Sequence, residues 1–84
     1  MDEQTVDILG LMKVVLEPLV EHPEALEIAS TEAADGTILV EVSVHEEDAG
    51  KVIGRQGRVI KAIRTIARAA ASRFDERVEV EIID

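Results

Sequence analysis

Residues 46–73 are patterned as helix with one interruption, Gly54-Arg55-Gln56-Gly57. Glu46, Glu47 and Asp48 load the start of the first part and Lys51 falls near its end, the order that a helix dipole prefers. Gly54 stops that helix, because glycine accepts the left-handed conformation in which helices often end. A second helix opens at Gly57 or Arg58 and runs to about Arg73. Two helices therefore meet at a four-residue corner whose ends lack Cβ atoms, so another backbone can come close. The second helix turns its unpaired N–H groups and its positive end toward that corner, a natural place for a phosphate.

Charge points to the same stretch. From Ala49 to Phe74 there are seven basic residues and no acidic one, whereas the remainder holds two basic and eighteen acidic residues. A net charge of −9 thus divides into +7 and −16. With a screening length of roughly 8 Å in physiological salt, a ligand on one face feels mainly the local sign. Arg55 lies in the corner itself. On a wheel of ~100° per residue, Lys61, Arg64 and Arg68 share one side, well over 90° from a Val59–Ile63–Ile66–Ala70 stripe. A bare GxxG arises by chance in roughly a third of chains this long, and a basic stripe is most often a solvated face. Their coincidence in the longest acid-free window carries the argument.

The rest of the chain supplies the frame. Residues 4–21 read as a helix with Val6, Leu9, Leu11, Met12, Val15, Leu16 and Leu19 on one broad apolar face. Asp2, Glu3 and Asp7 suit its positive end. Pro18 either kinks it or begins a short second turn, and Pro23 ends it. Residues 26–33 and 37–45 read as strands joined by a tight turn at Asp35-Gly36. In the second, Ile38, Val40, Val42 and Val44 recur with period two; the first is less apolar and belongs at a sheet edge. Residues 46–53 form the short helix and residues 58–73 the long one, with Val59, Ile63, Ile66, Ala67, Ala70 and Phe74 as its buried stripe. Residues 77–83 alternate again, through Val78, Val80 and Ile82. The order is α-β-β-α-α-β, an α+β fold. A three-stranded mixed sheet with its helices on one face follows, because a helix pair separates the last two strands.

Several functions are disfavoured. Eighty-four residues make one domain. Phe74 is the only aromatic, so base-stacking platforms are nearly excluded, and without cysteine there is no disulfide, thiolate metal site or thiol nucleophile. No motif places a serine, a histidine and a carboxylate together, and no paired acids are spaced for catalysis, so no enzyme is expected. No cofactor or metal is expected either: His45-Glu46-Glu47-Asp48 are neighbours that point apart, with no second ligand at helical spacing. The first twelve residues carry no basic side chain and the apolar runs are short, so neither a leader nor a membrane span is expected. The expectation is a soluble, cytoplasmic protein.

The segment Gly50-Lys51-Val52-Ile53-Gly54-Arg55-Gln56-Gly57-Arg58-Val59-Ile60-Lys61-Ala62-Ile63-Arg64 resembles the VIGxxGxxIxxI signature of KH domains, which read single-stranded RNA. The element order resembles the bacterial, type II KH arrangement. The size, Glu21-His22-Pro23-Glu24 after the first helix and the Ile82-Ile83-Asp84 ending are similar to the small stand-alone bacterial KH proteins of the KhpA family. The resemblance implies that Gly54, Arg55, Gln56 and Gly57 clamp an RNA backbone of about four nucleotides. Ile53 and Ile60 would then line an apolar groove beneath the bases, opposite an exposed edge of the second strand. Arg58 and Lys61 would join the clamp, with Lys51, Arg64 and Arg68 as an auxiliary basic face. It further implies an RNA-chaperone and regulatory role in cell elongation and envelope homeostasis, a KhpB- or Jag-type partner, and self-association. The acidic remainder points to a short footprint and an affinity about micromolar or weaker.

Two other classes compete. A KH fold can serve mainly as a protein–protein or dimerisation module, but a basic pair between Gly54 and Gly57 speaks for nucleic acid. A membrane-surface module on the basic face would need exposed bulky apolar residues, which the helix stripe is expected to bury.

Overall fold

Pro18 decides where the first helix ends. Without an N–H, proline cannot donate to the carbonyl one turn back. Accordingly α1 (Glu3–Leu16) gives way to a separate 3-10 turn at Glu17–Leu19, closed by Val20 N–H on Glu17 O at 3.4 Å. Of the two outcomes expected at Pro18 within residues 4–21, a kink or a short second turn, the structure has the second. A second 3-10 turn, Pro23–Ala25, leads into the sheet. The computed structural model describes residues 3–83. Asp2, Asp84 and the side chains of Glu3 and Val6, which carry sequence assignments, lie outside the described residues.

Strand β1 (Glu27–Glu32) pairs antiparallel with β2 (Ile38–Ser43), with Ile28 opposite Val42 and Ser30 opposite Val40. Gly36, at φ +89°, turns the hairpin, and Asp35 steadies it by accepting the Thr37 N–H at 2.9 Å. Strand β3 (Val78–Ile83) lies parallel to the other side of β2, Val40 opposite Val80. The order β1-β2-β3 puts β2 in the centre. The free edge expected for the second strand does not exist; both of its backbone edges are paired.

Alternation does the rest. Ile38, Val40 and Val42 of β2 and Val78 and Val80 of β3 are buried on one face, against the helices. From α1, Ile8, Met12 and Leu16 complete the core at a spacing of four, with Leu9 only flanking it. Between the strands come a 3-10 turn (Glu46–Asp48), α2 (Ala49–Ile53) and α3 (Arg58–Ser72). Helix α3 buries Ile60, Ile63, Ala67 and Ala71. The expected stripe is thus rotated by roughly 55° on a 100°-per-residue wheel. Ile66 and Phe74, expected in the core, are 42% and 41% exposed. The helix closes with Asp75 at φ +61°, where the Glu76 N–H reaches Ala71 O and the Asp75 N–H reaches Ser72 O, a Schellman-type ending that carries Phe74 off the core.

Candidate nucleic-acid interface

Helix α2 ends where the Gly54 N–H meets Gly50 O at 2.8 Å. Gly54 then takes φ +78° and ψ 172°, a region in practice reserved for glycine. A second constraint acts there: a Cβ on Gly54 would lie 2.8 Å from Val59 N and overlap the Val59 side chain. Gly54 is therefore glycine so that the corner can close on the first turn of α3. Gly57, at φ +73°, differs; a Cβ there would meet only Ile60 Cγ2, at an ordinary 3.9 Å. Its constraint is conformational. Between them Gln56 is left-handed too, at φ +57°.

No side chain caps the amino end of α3, and the Arg58 N–H closes on Arg55 O. Arg55, Gln56, Arg58 and Lys61 are exposed around it. The Arg58 Nη2 donates to Gln56 Oε1 at 3.3 Å, spanning the loop. Among the described residues, Arg55 and Lys61 have no ion-pair partner, so both can meet an anion without first breaking a contact.

The auxiliary cations are placed otherwise. Lys51 pairs with Glu21 at 2.7 Å and lies 3.8 Å from Asp48. Arg64 is half-buried and donates from Nε to Val80 O at 3.1 Å, clasping α3 to β3. Arg68 pairs with Glu79 at 3.3 Å. The rotated core stripe explains this, because it brings Arg64 and Arg68 round toward the sheet.

The apolar side of the corner also differs from expectation. Ile53, next to Gly54, is 40% exposed, but Ile60 is only 5% exposed and belongs to the core. A groove of about 500 Å³ is lined instead by Val44, Glu46, Ala49 and Ile83. Ala49 and Ile53 are four residues apart, hence on one face of α2, so an apolar track leads from this groove toward the loop. That i, i+4 spacing was the available sequence signal.

Residues 10–82 match the family model described as the KH domain of KhpA and KhpB. The chain belongs to this KH-domain family. Proteins named RNA-binding protein KhpA are similar over most of their length. That of Listeria monocytogenes is 43% identical over 74 residues, 88% of this chain and 96% of the relative. That of Caldanaerobacter subterraneus is 45% identical over 73 residues, covering 87% and 96%. The Bacillus subtilis protein is 44% identical over 70 residues, covering 83% and 85%. Within this KH-domain frame, the corner between α2 and α3 is the stretch that carries the GxxG signature.

One functional neighbour of the corner was misjudged from sequence. Asp48, assigned to a helix dipole, is fully buried at the start of α2. Its carboxylate accepts the backbone N–H groups of Glu21 at 2.9 Å and His22 at 3.0 Å. Burial would raise its pKa; the two backbone donors, with His22 and Lys51 nearby, outweigh that and hold it below the usual carboxylate value. Asp48 thereby ties the start of α2 to the segment after α1. No helix among the described residues is long and apolar enough to cross a membrane.

Proposed function

We propose that this chain binds single-stranded RNA, holding its backbone at Gly54-Arg55-Gln56-Gly57 and resting bases along the Ile53–Ala49 side of α2. The observation that carries the reading is the run of positive φ angles at Gly54, Gln56 and Gly57 beside the exposed Arg55, at an amino end of α3 that no side chain caps. Phosphates favour that position because N–H groups and the helix dipole act together. Arg58 and Lys61 extend the clamp by one turn. Lys51, Arg64 and Arg68 are supports of the fold before they are contacts.

The relatives' name, RNA-binding protein KhpA, supports the same reading. So does membership in a KH-domain family. On this view residues 1–84 act as one KH unit, non-enzymatic and cytoplasmic, serving as an RNA chaperone and post-transcriptional regulator. A role in cell elongation and envelope homeostasis with a KhpB-type KH partner follows the resemblance.

A second reading, self-association, is favoured by Ile66 at 42% exposure, with Ala62 and Ala69 exposed near it on the outer face of α3.

Replacing Arg55 and Gln56 together by Asp tests the clamp. Aspartate tolerates the left-handed conformation at position 56, so the fold is expected to persist. Anisotropy with short single-stranded RNA should show at least a tenfold loss of affinity at an unchanged melting temperature. Equal affinity in the folded variant would remove the loop from the interface.

A further inference from the structure

His22 and His45 are 23 positions apart, and the fold stacks their rings with centroids 4.0 Å apart at an interplanar angle of 24°. Glu47 joins them. Its Oε2 lies 3.8 Å from His22 Nε2 and its Oε1 lies 4.0 Å from His45 Nδ1. One ligand atom from each of the three residues falls within 4.8 Å of the others. We propose that His22, His45 and Glu47 form a binding site for a divalent transition-metal ion of the zinc type.

Three features support the assignment. The ligands sit on backbone that is already held together: Asp48 accepts the N–H groups of Glu21 and His22, and Lys51 pairs with Glu21. The ordering of the two segments, which a metal usually has to bring about, is largely done. Next, Glu24 Oε1 lies 3.4 Å from His22 Nδ1. A proton held there leaves the Nε2 lone pair facing Glu47, the carboxylate–histidine arrangement that orients metal ligands. Finally, Glu21, Glu24, Glu46, Glu47 and Asp48 crowd these two segments, with Lys51 as the opposing charge. The field there favours a cation.

Two imidazoles and a carboxylate suit zinc, nickel, cobalt or copper, whereas magnesium and calcium prefer oxygen ligands alone. Tetrahedral zinc with bonds of about 2.0–2.2 Å wants its ligand atoms about 3.3 Å apart. The pairs at 3.8 and 4.0 Å must close slightly, and the rings must tilt from their stack toward the ion. The ion takes the place of the Glu47 N–H, which now donates to His45 Nδ1 at 3.1 Å. A fourth position remains for water. Such an ion would clamp the segment after α1 to the turn that starts α2.

The test uses the untagged full chain with zinc chloride, and magnesium chloride as control. Zinc at about a hundredfold excess over its dissociation constant should raise the melting temperature by about 5 °C or more. Magnesium should leave it unchanged. His22→Ala and His45→Ala should each lose the zinc response. Should either variant fail to fold, copper(II) added to the wild type should selectively broaden the ring signals of His22 and His45 in NMR spectra. No zinc response, a response retained by either variant, an equal effect of magnesium, or broadening centred on other residues would overturn the site.

Discussion

At Gly54 a steric demand and a conformational one fall on the same atom, whereas at Gly57 only the second applies. The two glycines of one motif should therefore respond differently to the same substitution. Gly54→Ala is expected to cost about 2–5 kcal/mol, combining backbone strain with a clash against the first turn of α3. Gly57→Ala should cost about 1–2 kcal/mol, the left-handed penalty alone. Urea denaturation of both variants measures the difference, and equal losses would contradict the packing assigned to Gly54. The basic residues divide in a similar way. Lys61→Ala should flatten the salt dependence of RNA affinity by about 0.7 in log–log slope, the share of one phosphate on a single strand. Arg64→Ala should leave that slope alone and cost about 1–3 kcal/mol of stability, because its guanidinium holds Val80 O.

Among the elements, the strands were legible and the rotation of α3 was not. Ile38, Val40 and Val42 alternate in a way that admits one buried face, so their side was never in doubt. The apolar arc of helix α3 is wide, about 200° on a 100°-per-residue wheel, from Ala69 and Ala62 through Ile66, Val59 and Ile63 to Ile60 and Ala71. A wheel cannot choose between neighbouring stripes on such a helix; packing against α1 and the sheet chose the one with Ala67 and Ala71. The GRQG corner itself could be read, since glycine placement is local chemistry. Asp48 could not, because its partners lie 26 and 27 residues away. It nevertheless gives a pH prediction. Its pKa is lower in the fold than in the unfolded chain, so its stabilising contribution is present above about pH 4 and is lost as pH falls through the folded value. Asp48→Asn should melt lower than the wild type at neutral pH, and the gap should narrow in acid below about pH 4. Asp35, also lowered, chiefly by the Thr37 backbone N–H, is common to both proteins.

Across the whole molecule, the division of charge limits what the loop can hold. Residues outside 49–74 sum to −16 by sequence, so under the proposed clamp RNA extending beyond the corner would be repelled. Four of the seven cations inside that window are engaged with the protein itself: Lys51 and Arg68 in ion pairs, Arg64 on a backbone carbonyl and Arg58 on Gln56 Oε1. The proposed clamp is therefore expected to have a footprint of a few nucleotides and a shallow salt dependence. The most direct measurement is an NMR titration of isotope-labelled protein with a short single-stranded RNA, followed at the backbone amides. The largest shift changes should gather at residues 53–61, with smaller ones at Ala49 and Ile83. Changes gathered instead around Ile66 on the outer face of α3, with residues 53–61 silent, would contradict the RNA clamp and leave an association surface as the working face.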